Sequence, residues 1–522
     1  MRPWCRRAAR AGICACALVA VACCLLNGLY SSTETDKWFL LATGRLICRD
    51  GIPHANPWSI DSAALGVVVQ QWLHDVILCR AYDAAGTVGV ALVVLATSAL
   101  TITAAVNEVC AFAGRTPGQV SPWRLLACVG AFCVMAVGWL TLRPNVWTMA
   151  ASLLAMATCE RTRRDGRLSR LLLLPLIMVT LMQLHMSMAW LAAFVVGVFA
   201  LPADATELPR LATREGRADY LCAHGPFLVA CVVMVLVMPL NPYGLDGMLY
   251  LFRSFGAASY GNLILEMKPI WDPAMREALV GFALRAAILL ASAALCARRH
   301  ALRPDLALLG TACLVASALQ ARNGWLVALP ACAMLGTAVG LERDEAGKAP
   351  HGAAAVALAW VGAACAALVA TSGGAAGWDS LPTGMQPLLD DVEAAEGSRD
   401  VRVMCSDTPL YNYMEWEGWR VMLDARPEIW EPPITGDGDH RYRAWADAIG
   451  VTSTTRAEAE RSLLEYVRDR GVGYVIAQDD VRQGASSHGE RDGDFYASLP
   501  WLERVASTGT MTLYRVSLGG LE

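Results

Sequence analysis

The feature that most constrains this chain is a series of apolar runs that recurs from residue 11 to Thr371. A spanning α-helix needs about 20 predominantly apolar residues, and it satisfies its backbone hydrogen bonds internally. With 55% hydrophobic and 17% charged residues, the composition excludes an ordinary soluble globular protein. The predicted spans are residues 11–30, 86–109, 124–142, 146–158, 171–184, 188–202, 225–240, 278–297, 305–320, 324–340 and 353–371. The predicted fold class is therefore an α-helical polytopic membrane protein with about 11 transmembrane helices.

Basic residues fall in alternate loops between these spans, and this pattern predicts the orientation. Four arginines precede the first run, which is long and lacks a small-residue cleavage site, so we interpret it as a helix and not a signal peptide. Because basic loops stay cytoplasmic, the amino terminus is predicted inside, with outer loops at residues 31–85 and 241–277 of a membrane domain covering residues 1–371. Arg285 is left inside a span, where its charge needs a carboxylate or a water-filled cavity.

The composition changes after Thr371. Residues 372–522 contain 14 Arg, no Lys and 26 Asp and Glu, a net charge of −12. This acidic tail lacks a basic face, which excludes a nucleic-acid-binding role. We predict a linker at residues 372–398 and a C-terminal extracytoplasmic α/β domain at residues 399–522. Its predicted strands are Val401–Met404, Val421–Leu423, Tyr474–Ala477 and Met511–Tyr514, and its predicted helices cover 440–449 and 456–470.

Polar residues that could bind a substrate or act in catalysis fall on the predicted outer face of the membrane. The first outer loop carries Glu34, Asp36 and His54, and its residues 67–78 predict a helix lying in the membrane interface, interrupted by Gln71, His74 and Asp75. The other outer-face residues are Arg143-Pro144-Asn145, Gln183, His185, Asn241-Pro242-Tyr243-Gly244, Glu266, Lys268, Trp271 and Arg322-Asn323. Ionisable residues beside lipid are costly, so their presence on one face favours a functional site.

Each of these residues also has a purely structural explanation. Asp36 could cap the helix that begins at Lys37, and the Asn241 motif is a strong turn signal. Arg143 and Arg322 could extend to lipid headgroups, and His185 could be a hydrogen-bonded core histidine. The functional interpretation is favoured over these alternatives only because all of these residues, although far apart in sequence, are predicted on the same face of the membrane.

The order of the motifs resembles a known family. Thr35-Asp36-Lys37-Trp38, Gly51-Ile52-Pro53, Asn56-Pro57-Trp58-Ser59 and Gln71-Trp72-Leu73 are similar to the first outer loop of bacterial polytopic proteins of the C-class integral-membrane glycosyltransferase superfamily. Arg143-Pro144-Asn145, Leu184-His185, Asn241-Pro242-Tyr243-Gly244 and Arg322-Asn323 follow in the family's order, and Trp419–Arg426 resembles a strand and turn of its outer domain. The resemblance implies transfer of a sugar from a polyprenyl-phosphate donor to an extracytoplasmic envelope acceptor, at a bacterial plasma membrane.

The sequence also departs from that family. Asn56 and Gln71 stand where such proteins often have carboxylates, and Glu266 is followed by Met267 where the family has Trp. Fewer hard oxygen ligands argue against a divalent metal, although the resemblance leaves one open, so we assign no cofactor. The departures keep a second interpretation open, a catalytically inactive scaffold of this family, and a third, a polymer or lipid transporter. A transporter should show broken repeated spans with ionisable residues at the midplane.

The resemblance implies roles for the residues that match its motifs. A phosphate leaves as a stable anion, so one base acting on the acceptor hydroxyl can suffice, and Asp36 is that candidate, with Glu34 as the second. Arg143, Arg322, Lys268 and His185 are candidates to bind the donor phosphate. The remaining candidates lie in the substrate loops: His54, Asn56, Gln71, Trp72, Asn241, Tyr243 and Glu266. The implied partners are the lipid bilayer, the lipid-linked sugar, and a glycan, lipid or protein acceptor, with no nucleic acid.

Overall fold

The computed structural model describes residues 3–31, 34–60, 66–204, 206–210, 212–255, 265–341, 381–423, 426, 441–451, 453–479 and 491–519. The chain forms two compact units. The first, here called the helical unit, comprises Met1–Ser32, Ala85–Leu251 and Ile264–Gly374. The second, here called the sheet unit, comprises Thr33–Ala84, Phe252–Leu263 and Ala375–Glu522. The first predicted outer loop therefore belongs to the same compact unit as the acidic tail.

The described helices are, in chain order, α1 (Pro3–Ser31), α2 (Asp36–Asp50), α3 (Trp72–Ala113), α4 (Pro122–Ala136), α5 (Asn145–Asp165), α6 (Leu173–Leu184), α7 (Ala189–Val198), α8 (Glu207–Arg210), α9 (Arg214–Val237), α10 (Leu245–Phe255), α11 (Arg276–Ala297), α12 (Pro304–Leu319), α13 (Ala328–Gly340), α14 (Leu381–Glu396), α15 (Thr408–Trp416), α16 (Arg441–Ala448), α17 (Arg456–Arg470) and α18 (Asp492–Ala497). Short 3-10 helices include Leu265–Met267 and Ala321–Val327. Local sequence sets several boundaries: prolines open α4 and α12, and the left-handed Gly166 ends α5.

The helical unit matches the prediction of an apolar helical bundle. Among the described residues, five helices are long and apolar enough to cross a membrane, and four apolar helices of the bundle are shorter. Small residues allow the spans to pack closely. Helices α1 and α4 are in contact at Gly130, where a Cβ atom would lie only 2.7 Å from the Ala17 Cα atom. A multi-pass helical membrane architecture is confirmed in this coarse form. The predicted span at residues 353–371 lies outside the described residues.

Helix α3 contains the boundary between the two units. Its backbone leaves the helical conformation at Ala85 and Gly86, and Gly86 has a φ of 59°, which a residue without a side chain adopts at little cost. The part before this break belongs to the sheet unit and the part after it to the helical unit. The sequence predicted a span at residues 86–109 and a separate interfacial helix at residues 67–78. In the structure, α3 begins at Trp72 and contains residues of both.

The sheet unit contains four described strands in the order β1-β2-β4-β3. They are β1 (Val403–Cys405), β2 (Tyr474–Gln478), β3 (Leu502–Ser507) and β4 (Met511–Val516). Strand β1 pairs parallel to β2, and β4 pairs antiparallel to both β2 and β3. Helices α16 and α17 also agree with the predicted helices, and α14, whose Met385 and Leu389 are fully buried, lies within the stretch predicted as a linker.

One strand prediction was wrong, and one strand was not predicted. Residues 421–423 do not form a strand; Val421 makes a single bridge to Ser59, and both of its backbone polar groups bond to the loop at residues 58–60. Strand β3 was missed because its residues are mostly exposed, so it lacks an alternating apolar pattern. An edge strand with charged residues such as Glu503 and Arg504 is typical of a sheet protected from further pairing.

Helix α2 packs on α15 within the sheet unit. Trp38 of α2 contacts Tyr413 and Trp416 of α15, with ring centroids 5.0 and 5.6 Å apart. Arg45 of α2 lies over the Trp416 ring at 3.2 Å and donates to the Trp416 carbonyl oxygen at 3.0 Å. Aromatic and cation–π contacts of this kind stabilise the packing of α2 on α15 beyond what the burial of apolar area contributes. The start of α2, with its candidate carboxylates, is thereby fixed to the tail.

Candidate functional site

Arg143 lies in the turn that connects α4 to α5 in the helical unit. The Asn145 side-chain amide donates to the Trp139 carbonyl oxygen at 2.9 Å and closes this turn. From it, the Arg143 guanidinium reaches Glu266 and donates to its two carboxylate oxygens at 3.2 and 3.3 Å. Both side chains are more than 40% exposed, so their ion pair is a solvated one that a stronger anion can displace.

Arg322 reaches the residue next to Glu266. It lies on the 3-10 helix Ala321–Val327, and its Nη1 atom contacts the Met267 sulfur at 3.2 Å. The backbone fixes this approach, because the Ala321 N–H donates to the Lys268 carbonyl oxygen at 3.2 Å. A thioether is a weak acceptor, so the exposed Arg322 guanidinium keeps most of its donor capacity for a ligand.

Lys268 completes a group that we call the cation cluster: Arg143, Lys268 and Arg322. Its Nζ atom lies 3.8 Å from the Asp272 carboxylate. Two guanidinium groups from distant parts of the chain thus reach residues 266 and 267, and Lys268 follows in the same segment, which also carries the carboxylates of Glu266 and Asp272. The arrangement suits an anion with several oxygens, because two guanidinium groups can offer paired donors to it.

The other predicted residues of the helical unit have structural contacts. His185 ends α6, is buried, and its Nδ1 atom lies 2.7 Å from the Thr148 hydroxyl. The Asn241 side chain forms the turn predicted for its motif, donating to the carbonyl oxygens of Met238 and Gly244 and accepting from the Tyr243 N–H, all at 2.8 Å. The structure therefore brings Arg143, Glu266, Lys268 and Arg322 together and gives these other residues different surroundings.

In the sheet unit, the candidate bases lie at the start of α2. Thr35 occupies the cap position and Asp36 is the first helical residue, partly exposed, with Glu34 just before. A carboxylate in the first turn interacts favourably with the helix dipole. Lys37 is fully buried, with its ammonium 4.5 Å from the centroid of the Trp38 ring. Asp36 therefore sits on a helix whose following residues are anchored in the core.

The other loop candidates differ in their surroundings. Asn56 is buried, and its side-chain oxygen accepts from the N–H groups of Trp58 and Ser59 at 3.0 and 3.3 Å, an Asx turn that either Asn or Asp can form. His54 is exposed and accepts the Val67 N–H at its carbonyl oxygen. Gln71 is buried, and its backbone carbonyl oxygen accepts a hydrogen bond from the Asp75 N–H. The next residue, Trp72, is the first residue of α3.

The sheet unit also contains a buried charge cluster that was not among the predicted site residues. Arg426 donates to the Thr43 hydroxyl at 3.0 Å and to the Glu415 carboxylate at 3.2 Å, and its guanidinium lies 3.6 Å from the Trp58 ring centroid. The fully buried Asp75 carboxylate is within electrostatic reach of the same guanidinium. Asp75 in an apolar helix was the sequence signal for this cluster.

A divalent metal was left open by the sequence. Across the described ranges, no three His, Cys, Asp or Glu side chains group closely enough to hold a metal ion. The function proposed for this chain assigns no role to a metal.

Comparison with known proteins identifies the fold. No protein-family model and no curated protein matches this sequence. A solved structure of the Archaeoglobus fulgidus oligosaccharyltransferase, tethered to an acceptor peptide with an NVT sequon, is 11% identical, with a TM-score of 0.54 over 97% of this chain and 74% of that one. A structure of the archaeal oligosaccharyltransferase AglB from Archaeoglobus fulgidus, in complex with an inhibitory peptide and a dolichol-phosphate, is 12% identical, with a TM-score of 0.51 over 98% of this chain and 75% of that one. At such identities the similarity shows a shared fold, in agreement with the fold that the family resemblance implied.

Proposed function

We propose that this protein is a membrane glycosyltransferase that moves a sugar from a polyprenyl-phosphate donor to an extracytoplasmic acceptor. The observation that carries the proposal is the convergence of Arg143 and Arg322 on the adjacent residues Glu266 and Met267, with Lys268 next in the chain. The fold supports it, because structures of similar fold were solved with an acceptor peptide and with a dolichol-phosphate. We also propose a cytoplasmic amino terminus and an extracytoplasmic tail, from the loop charges.

The cation cluster would bind the donor phosphate. Arg322 now contacts only a thioether among its described acceptors, and a phosphate oxygen would replace it with a charge-assisted hydrogen bond. Glu266 holds the Arg143 guanidinium in place and, because the pair is solvated, can yield to the phosphate. These fixed positive charges would stabilise the phosphate as negative charge develops on it. His185, buried against Thr148, would support α5, which begins two residues after Arg143.

Asp36 would act as the base, with Glu34 as the second candidate. The acceptor hydroxyl oxygen attacks the anomeric carbon, the carboxylate takes the hydroxyl proton, and the carbon–oxygen bond to the phosphate breaks with its electron pair on the phosphate. One carboxylate is enough because the leaving group needs no proton. His54, Gln71, Trp72 and Tyr243 remain candidates for acceptor contacts, whereas the Asx turn explains Asn56 and the turn contacts explain Asn241.

The test uses the full chain in nanodiscs with labelled polyprenyl-phosphate sugars. Asp36→Asn keeps the side-chain size and removes the capacity to take a proton, so transfer should fall by roughly a hundredfold or more. The matched control is Glu215→Gln, an exposed first-turn carboxylate of α9, which should leave transfer unchanged. Full transfer by Asp36→Asn would remove Asp36 as the base and point to Glu34.

Arginine-to-lysine variants test the cation cluster. Arg143→Lys and Arg322→Lys keep the charge and lose the paired-donor geometry, so the KM for the donor should rise while the protein stays folded. Arginines that merely extend to lipid headgroups would tolerate lysine. If the parent protein transfers no sugar from any polyprenyl-phosphate donor, the enzyme proposal fails and the inactive scaffold is favoured.

A further inference from the structure

Arg285 is a charged residue in the middle of an otherwise apolar helix. It lies on α11, one of the helices long and apolar enough to span a membrane, and its side chain is half-buried. Within the described part of the chain, no carboxylate pairs with it, and its Nε atom is buried without a hydrogen-bond partner. A charge in such a position is costly, so residues of this kind generally mark a polar pathway or a ligand site.

The indole of Trp139 connects Arg285 to the cation cluster. The Arg285 guanidinium lies 4.5 Å from the Trp139 ring centroid, while the Nε1 atom of the same indole donates to the Arg322 carbonyl oxygen at 2.9 Å. One ring therefore holds Arg285 at its face and the Arg322 backbone at its edge. Trp139 also belongs to the turn that carries Arg143, since its carbonyl oxygen accepts from Asn145.

Gly324 shows how closely these groups pack. A Cβ atom at this position would lie 2.8 Å from the Trp139 ring and 3.1 Å from the Arg285 Nη2 atom. The 3-10 helix that presents Arg322 therefore runs directly past the Arg285 guanidinium. Arg285 thus lies beside the 3-10 helix that carries Arg322, and neither arginine has a described carboxylate partner.

A ring face compensates only part of the cost of such a charge. The attraction of a cation to an indole is smaller than the penalty of removing an unpaired guanidinium from water. An anion bound beside Arg285 would offset this cost and accept hydrogen bonds from the guanidinium, and phosphate oxygens match its planar geometry best.

We propose that Arg285 is a further phosphate-binding residue, which holds the phosphate of the lipid carrier together with Arg322, against Trp139. This assignment rests on the proposed function, since it deepens the donor site of that reaction. The same chemistry could come from a polyprenyl phosphate, a phospholipid headgroup or free phosphate. The position of Arg285 within a spanning helix favours a phosphate carried by a lipid.

The experiment measures binding to the full chain in neutral-lipid nanodiscs. The probes are undecaprenyl phosphate, phosphatidylglycerol and inorganic phosphate, and dissociation constants are read by native mass spectrometry. Arg285→Gln should weaken undecaprenyl phosphate binding roughly 10- to 100-fold, as expected for losing hydrogen bonds to a charged group. Arg285→Lys should lie between Gln and the parent. Arg276→Gln, an exposed arginine at the start of the same helix, should bind like the parent.

The melting temperature separates ligand binding from a structural role. Without ligand, Arg285→Gln should melt at or above the parent temperature, because an uncompensated charge is removed. With undecaprenyl phosphate, its ligand-induced rise should be smaller than that of the parent. A purely structural arginine would give the opposite pattern, with a lower melting temperature without ligand and an unchanged ligand-induced rise.

Each remaining outcome decides between the two proposals. If the parent binds undecaprenyl phosphate and Arg285→Gln binds it equally well, the role of Arg285 is overturned while the proposed function stands. If the parent binds none of the three probes, both fail. If phosphatidylglycerol or inorganic phosphate competes at equal concentration, the assignment of Arg285 to the lipid carrier is overturned.

Discussion

Replacing Arg426 with Met should strongly destabilise the sheet unit. Arg426 links α2 to α15 through Thr43 and Glu415, and the side chains of this ion pair are only 9% and 0% exposed. Methionine fills the space of the aliphatic stem and leaves the buried Glu415 carboxylate without its guanidinium. Asp75, whose carboxyl group is fully buried, also lies within electrostatic reach of Arg426.

The expected magnitude follows from this burial. Breaking a buried ion pair by removing one partner costs about 3–5 kcal/mol, and with a urea m-value of about 2 kcal/mol/M the unfolding midpoint should fall by roughly 1.5–2.5 M. The matched control is Arg399→Met. Arg399 pairs with Glu393 at 2.9 Å in the same unit, with both side chains 40% or more exposed, so its loss should barely move the midpoint.

Cys405 provides the assay, because it is the only cysteine among residues 375–522 and is completely buried. Burial raises the pKa of its thiol well above the ordinary value, so alkylation requires opening of the sheet unit. The full chain in detergent would receive pulses of a thiol reagent across a urea series, and mass spectrometry would quantify the labelled Cys405 peptide.

Two results would refute the reasoning. One is an Arg426→Met midpoint equal to that of the parent, which would mean that the buried pair contributes nothing. The other is an Arg399→Met shift as large as that of Arg426→Met, which would mean that burial does not decide the cost. The double variant Arg426→Met/Glu415→Gln should recover part of the loss, because the buried carboxylate at position 415 is then replaced by a neutral amide.

Two further predictions concern stability. Burial raises the pKa of Tyr442 to about 12, so above pH 10 the unfolded phenol ionises first and the sheet unit should lose roughly 1.4 kcal/mol per pH unit up to that value. Tyr442→Phe should reduce this loss of stability, seen as a smaller fall in melting temperature between pH 10 and pH 12. An unchanged dependence of the melting temperature on pH would contradict the prediction. Gly44→Ala should cost roughly 1–3 kcal/mol, because a Cβ atom there would lie 2.7 Å from the Cys79 Cβ atom and press on the Asp75 backbone. Gly225→Ala, with no atom within 4 Å, should be neutral or stabilising, and equal effects of the two would count against the packing argument.

The spanning helices and most of the tail sheet could be predicted because hydropathy and periodicity are local properties of a sequence. Strand β2 and helix α17 lie where their patterns placed them. Strand β3 was missed because an exposed edge strand has no apolar alternation. Residues 421–423 look like a strand, but they bond to residues 58–60, a partner that no local pattern identifies.

The candidate residues were predicted from turn motifs at the ends of apolar runs, which is why Arg143 and Arg322 were recognised. Their common target, the adjacent pair Glu266 and Met267, was not predicted, since contacts between such distant residues depend on how the helices pack. Asn56 shows the reverse case. Its amide looked like a lost carboxylate, whereas its contacts form a turn that either residue can make.

The sequence by itself determined that this chain is a helical membrane protein with an acidic α/β tail, because burial in lipid requires long apolar runs and a solvated domain requires charge. Only the tertiary structure decided that the first outer loop belongs to the same compact unit as the tail, and that Arg285 shares an indole with Arg322. Charge pairing and close packing depend on distances between residues far apart in the chain, and those distances exist only once the helices have assembled.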